Sequence, residues 1–273
     1  MLRHVRPMTT LLCALALAMP MLAAADGGSG DAAISQALKG AWRAPANVAR
    51  DQYRHPKETL EFFGLQPNMT VIELWPGTGW YTEVLAPVLR DQGELIEAAV
   101  PLKGDSESDN TRKLLDKMAA NKDVYGKVQV MDFMPPAQMS LGKGGSADMV
   151  LTFRNAHNWE GQHQLLAVFQ AAFKVLKHGG VLGLTDHRAA PGKTVDQVFK
   201  TGYMPTDYII QTAEKAGFKL AGQSEINANP KDDRDHPKGV WTLPPTYSMG
   251  DTDRAKYAAI GESDRMTLKF VKP

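Results

Sequence analysis

The 273-residue chain carries 43% hydrophobic and 22% charged side chains, a balance that excludes disorder, a coiled coil or a fibre. Its formal net charge of +1 gives no reason to expect nucleic acid as a partner. Arg3, His4 and Arg6 form a basic start, Leu11 to Leu22 is almost wholly apolar, and Ala23, Ala24 and Ala25 supply small residues before Asp26. That order predicts a secretory signal peptide over residues 1–25, the apolar run being too short for the roughly 20 residues of a bilayer span. The expected mature protein is periplasmic or secreted and not stably inserted in the membrane. Cys13 is the sole cysteine and falls inside the leader, so the mature chain has no disulfide, cysteine nucleophile or thiolate ligand. Losing Arg3 and Arg6 leaves 29 basic against 30 acidic residues, close to neutral.

Residues 26–49, rich in Gly, Ala and Ser, read as a flexible lead followed by a short helix, with the main domain spanning 50–273. Lys57 to Gly64 reads as a helix stopped by glycine. Met69 to Leu74 reads as a buried strand, Trp75 to Gly79 as a turn, and Trp80 to Arg90 as a helix striped by Val84, Leu85, Val88 and Leu89. A second strand is expected over Gly93–Val100, a helix over Asn110–Ala120, and a third strand over Lys127–Met131, ending at Asp132 and Phe133. Pro135-Pro136 forces a loop, and Asp148–Phe153 reads as a fourth strand. Gln164–Lys177 reads as an apolar helix whose last turn is complemented by Lys177 and His178 and stopped by Gly179-Gly180. Val181–Thr185, Phe218–Gln223 and Met266–Val271 read as further strands, with a helix over Thr206–Ala216. Alternation of strand and helix from Met69 to Ser224 predicts an α/β fold with a parallel sheet covered on both faces. Residues 226–264 break the rhythm as a long loop of the functional or mobile kind.

Ligands of such sheets sit beyond the carboxyl ends of the strands, where the 75–79 turn lies. Gly77 and Gly79 let a ligand approach the main chain. Glu73 is placed to meet a positively charged ligand group and would repel a phosphate. A dinucleotide fingerprint needs a third glycine where Thr82 stands, which disfavours NAD. A lone Gly-x-Gly is also compatible with a purely structural turn.

Val71-Ile72-Glu73-Leu74-Trp75-Pro76-Gly77-Thr78-Gly79 resembles the first motif of class I S-adenosylmethionine-dependent methyltransferases. Leu176-Lys177-His178-Gly179-Gly180 resembles their Leu-Lys-Pro-Gly-Gly segment, and Ala216-Gly217-Phe218 the step before their sixth strand. Trp-Pro-Gly-x-Gly-Trp-Tyr (75–81), Phe-Arg-Asn-x-His-Asn-Trp (153–159) and Asp-His-Arg-Ala (186–189) together resemble a bacterial exported group of predicted methyltransferases. The resemblance implies a doubly wound, mostly parallel seven-stranded sheet of Rossmann-like form, with S-adenosylmethionine as cofactor. It implies that Glu73, Trp75, Pro76, Gly77, Thr78 and Gly79 line the cofactor and that Asp132 and Phe133 face its adenine. Two positions depart from the family: Ala99 stands where an acid usually holds the ribose, and Trp75 replaces the first glycine.

Methyl transfer asks mainly for positioning of the acceptor, and for a base where the acceptor carries a proton. The candidates are Arg154, Asn155 and His157 after the fourth strand and His187 after the fifth, with His157 as base and Arg154 for an anionic substrate group. Asn158, Trp159, Asp186, Arg188, Tyr81 and Tyr203 are candidate substrate contacts, and Tyr53, Arg54 and His55 are placed to fold over the cleft as a lid. No metal is expected, since His157 and His163 match no common ligand spacing. The absence of Gly-x-Ser-x-Gly counts against an ordinary α/β-hydrolase. The expected function is methyl transfer to a small molecule. The alternatives are a binding protein that kept the fold without transfer, or a lyase-type enzyme on the same scaffold.

Overall fold

The computed structural model describes residues 1, 27–102 and 106–273, and the expected signal peptide lies outside the described residues. Among the described residues four helices precede the sheet: α1 (Gly27–Ala37), α2 (Pro45–Val48), α3 (Asp51–Arg54) and α4 (Pro56–Phe63). Then follow β1 (Thr70–Leu74), α5 (Thr82–Leu89), β2 (Glu94–Ala99), α6 (Ser106–Ala120), α7 (Lys122–Tyr125), β3 (Gln129–Asp132) and β4 (Ala147–Phe153). After β4 come α8 (Ala156–Glu160), α9 (Leu165–Val175), β5 (Leu176–His187), α10 (Val195–Val198), α11 (Thr206–Lys215), β6 (Lys219–Ser224), α12 (Arg254–Ile260) and β7 (Arg265–Val271).

The seven strands form one sheet in the order β3-β2-β1-β4-β5-β7-β6. All neighbours are parallel except β7, which runs antiparallel to both β5 and β6. This is the doubly wound fold expected from the alternating pattern. β1 is buried from Val71 to Leu74 because helices cover both faces. Ile72 and Leu74 point into a core shared with Val168, Phe169 and Ala172 of α9. Val71 points the other way, into a core shared with Val84, Leu85 and Leu89 of α5.

Three expectations are corrected. The lead over 26–49 is helical from Gly27, and α1 sinks Ile34 and Ala37 into the core beneath α5. Helix α9 ends at Val175, so Lys177 and His178 do not complement its last turn. Lys177 pairs with Asp148 at 2.6 Å, while Lys272 donates to the helix-end carbonyls of Phe173 and Leu176 at 2.8 and 2.7 Å. Loop 226–264 is fastened rather than free. Buried Asp232 accepts hydrogen bonds from Tyr203 Oη (2.9 Å), His236 Nε2 (2.8 Å) and the Asp264 amide (2.7 Å).

Candidate active site

At the carboxyl end of β1 the chain turns sharply. Trp75 sits in the left-handed region (φ 49°), where the family motif has glycine, and its amide donates to Ala98 O at 2.8 Å. Its indole reaches over β2 toward the end of β3, donating to Phe133 O at 2.9 Å and packing 5.3 Å from the Trp159 ring. Gly77 is also left-handed (φ 61°), and a Cβ added there would meet no atom within 4 Å, so its backbone faces open space. At Gly79 a Cβ would fall 2.6 Å from Leu114, so this glycine serves helix packing. Asn155 ties the turn to β4, its Nδ2 donating to Leu74 O (3.0 Å) and Trp75 O (3.2 Å).

Two cavities meet over Gly77. One, of about 220 Å³, runs from Glu73 and Gly77 toward β4, β5 and β7; the other, of about 200 Å³, runs toward Val100, Asn110 and Thr111. Both have Trp75, Pro76, Gly77, Asn155 and Asn158 in their walls, so they are two lobes of one bent cleft.

The first lobe holds the chemistry. His157 is buried on α8, its Nδ1 2.9 Å from Asp186 Oδ1 and its amide 3.1 Å from Asp186 Oδ2. A carboxylate only accepts, so Nδ1 carries the proton and Nε2 is left as the basic nitrogen. The His187 amide donates to the same Asp186 at 2.7 Å, and its ring Nδ1 contacts Ser263 Oγ. Burial, followed by the charges of His157, Arg265, Arg154 and Arg54, pulls the His187 pKa well below the usual histidine value, so its ring is neutral. Donor atoms of His157, Asp186 and His187 lie within 4.8 Å of one another. The arginines crowding this lobe make it a poor host for a divalent metal ion.

Those arginines come from three distant segments. Arg54 lies 4.7 Å from the Trp80 ring centroid and donates to Glu262 at 3.1 Å. Arg265 donates to Glu262 and to Tyr53 O, and Arg50 also pairs with Glu262. Burial alone would raise the Glu262 pKa, but Arg265, Arg54, Arg50 and Arg154 together hold it well below the usual carboxylate range. Arg154, left-handed at φ 64° with its amide fixed on Thr185 O at 2.7 Å, completes the wall.

Glu73 reaches the cleft, but not as a lone anion. The β1–β2 register sets it directly beside Glu97, and both side chains are buried. Burial, then the Glu97 charge, raises Glu73 well above the usual carboxylate range, and burial raises Glu97 as well. As two carboxylates they would leave Glu73 Oε2 and both Glu97 oxygens buried without a donor. A shared proton lets one acid donate to the other.

Several candidates fall elsewhere. Thr78 is exposed and Asp132 is exposed at the end of β3, both outside the cleft walls. The Phe133 side chain is buried in the core, because the residue after β3 turns inward, and only its carbonyl approaches the cleft through Trp75. Trp159 is core packing beneath Trp75. Tyr203 anchors Asp232. Arg188 clamps Asp264 (2.8 Å) and Glu225 (2.7 Å) outside the cleft. Of the expected lid, only Arg54 lines the cleft. Tyr53 packs against Gly261, and His55 is the left-handed junction of α3 and α4. Tyr81 does line it, stacked 3.5 Å from Phe153. The sequence reading missed Glu97, Trp241, Glu262, Ser263 and Arg265. A signal was present for three of them: the polar run Glu262-Ser263-Asp264-Arg265 directly before an apolar strand becomes fully buried.

No protein-family model matches the chain, and no curated protein matches it in sequence. Solved structures do match in fold. A SAM-dependent methyltransferase from Aquifex aeolicus is 15% identical with a TM-score of 0.55, covering 88% of this chain and 98% of its own. The (4+2)-cyclase SpnF is 16% identical with a TM-score of 0.57, covering 86% of each chain. A geranyl diphosphate methyltransferase is 11% identical with a TM-score of 0.51, covering 88% of this chain and 95% of its own. The chain therefore has the Rossmann-like methyltransferase fold, a scaffold that also carries other chemistry.

Proposed function

We propose that this chain is an exported enzyme that transfers a methyl group from S-adenosylmethionine to a small-molecule acceptor. The observation that carries the reading is the bent, two-lobed cleft folded over the bare backbone of Gly77, with a carboxylate-oriented histidine in one lobe. The donor set suits the cofactor. The Glu73–Glu97 pair, with its one shared proton, still presents an acceptor to the cleft, and the amides of Asn110, Asn155 and Asn158 with the Thr111 hydroxyl offer neutral contacts for a nucleoside in the second lobe. Among the described residues no carboxylate lines that lobe, so sugar hydroxyls would be held by amides and the Trp75 indole face. Bound there, S-adenosylmethionine supplies a methyl group already activated on a sulfonium.

The protein's own task is to place the acceptor and manage its proton. His157 Nε2, left free to accept because Asp186 holds the other nitrogen, accepts the acceptor's proton; neutral His187 and Ser263 orient the acceptor. Trp241, 6.0 Å from the His157 ring, narrows the mouth. Export rests on the leader expected from the sequence over residues 1–25; among the described residues no helix is long and apolar enough to cross a membrane.

Calorimetric titration of the mature chain with S-adenosylmethionine and S-adenosylhomocysteine tests the reading. Binding tighter than millimolar is expected, and no binding of either would end it. A binding protein without transfer is favoured by Ala99 standing where the resemblance leads one to expect the ribose acid. Product formation across phenols, thiols and amines separates it from an enzyme.

A further inference from the structure

The first lobe holds more positive charge than the fold requires. Arg54, Arg154 and Arg265 line it and Arg50 stands behind them, while among the described residues Glu262 and Asp186 are the carboxylates that act on Arg154 and Glu73 is the carboxyl in the lobe's own wall. Arg54 and Arg265 are buried, yet Arg54 Nη2 and Arg265 Nε lack any acceptor. Unsatisfied buried guanidinium donors are costly unless something not yet counted satisfies them. Arg154 is the most telling. Burial, then Arg265, pushes its pKa down to about 10, so its charge is held at a cost. Among the described residues its guanidinium makes no hydrogen bond and no ion pair, although it lines the lobe. Its left-handed backbone is strained for a residue with a side chain, and such strain persists where the surroundings fix it for a purpose.

We propose that the acceptor carries an oxyanion, a carboxylate or phosphate group, which Arg154 binds directly with Arg54 and Arg265 behind it. The planar guanidinium fork matches such a group in bidentate fashion. His157 and His187 sit on the same lobe, so the anion fixes the acceptor with its reacting atom toward them. This inference rests on the site proposed above to receive the methyl acceptor.

The test uses the whole mature chain at constant ionic strength, with inorganic phosphate and benzoate as probes and S-adenosylhomocysteine in parallel. Wild type should bind at least one anion with a Kd of about 1 mM or tighter. Arg154→Gln should weaken that binding at least about tenfold, and Arg154→Lys should weaken it less. Both variants should keep wild-type affinity for S-adenosylhomocysteine, which also certifies that they are folded. The proposal is overturned if neither anion binds wild type, or if Arg154→Gln leaves anion binding unchanged. It is equally overturned if that variant loses S-adenosylhomocysteine, for then Arg154 holds the cofactor's own carboxylate. Should the anions bind through Arg154 while wild type ignores S-adenosylhomocysteine, the oxyanion site stands and the methyl-transfer reading falls; melting curves then certify the fold of the variants.

Discussion

Replacing Glu97 by Gln should make the protein more stable, and increasingly so as pH rises. In the folded chain Glu73 and Glu97 are held together out of water, and both titrate above the usual carboxylate range. The unfolded chain has released both protons by pH 6, whereas the folded pair still keeps at least one. Unfolding therefore releases a proton, and the pair's contribution to stability declines as pH climbs from the unfolded carboxylate value toward the folded one. The slope is about 1.4 kcal/mol per pH unit for each proton kept. A Gln at 97 donates to the Glu73 carboxylate without needing that proton. Between pH 5.5 and 7.5 the variant should thus gain at most about 3 kcal/mol relative to wild type, reduced to the extent that burial alone keeps Glu73 protonated. His187, pulled downward, acts with the opposite sign below the usual histidine value, but it does so in both proteins and cancels in the difference. Urea unfolding at several pH values reads the effect as diverging midpoints with a common m-value. Parallel pH profiles would refute the shared proton.

Asp186→Asn should lower kcat by roughly 100-fold while leaving S-adenosylhomocysteine affinity unchanged, because it removes the group that keeps the His157 base oriented; single-turnover kinetics with any accepted substrate checks this. Trp75→Ala should destabilise by about 3 kcal/mol through loss of the indole contacts. Trp75→Gly should be about 1 kcal/mol less harmful than Ala despite the smaller side chain, since φ is 49° there; equal melting temperatures for the two would contradict this. Glu262→Gln should cost roughly 3 kcal/mol by stripping three arginines of their common counter-charge, measured by chemical denaturation.

The strands and their order of appearance were legible because buried runs such as Val71–Leu74 and Met149–Thr152 contrast sharply with the Gly- and Pro-marked turns between them. Placing His157, Arg154 and Asn155 at the cleft was legible too, since they follow a strand whose carboxyl end faces the ligand side. What the sequence withheld depends on register and long-range pairing. Nothing local says that Glu97 stands beside Glu73; that follows from β1 and β2 aligning Thr70 with Glu94. Nor can local pattern bring Glu262 and Arg265 to Arg54, more than two hundred positions away. Lys177 and His178 misled because basic residues near a helix end suit a dipole, whereas the chain was already entering β5. Phe133 misled because the inward or outward sense of a residue after a short edge strand is set by the turn that follows.

The insertion of β7 between β5 and β6 has a consequence for biogenesis. β6 is synthesised well before β7 yet has no partner in the sheet without it, and β5 meanwhile offers a long unpaired flank. Until residues 265–271 emerge, two open rows of amide and carbonyl groups invite pairing with other nascent chains. Ribosomal pausing or nonsense codons in the loop ahead of β7 should therefore yield inclusion bodies rather than soluble, partly active protein.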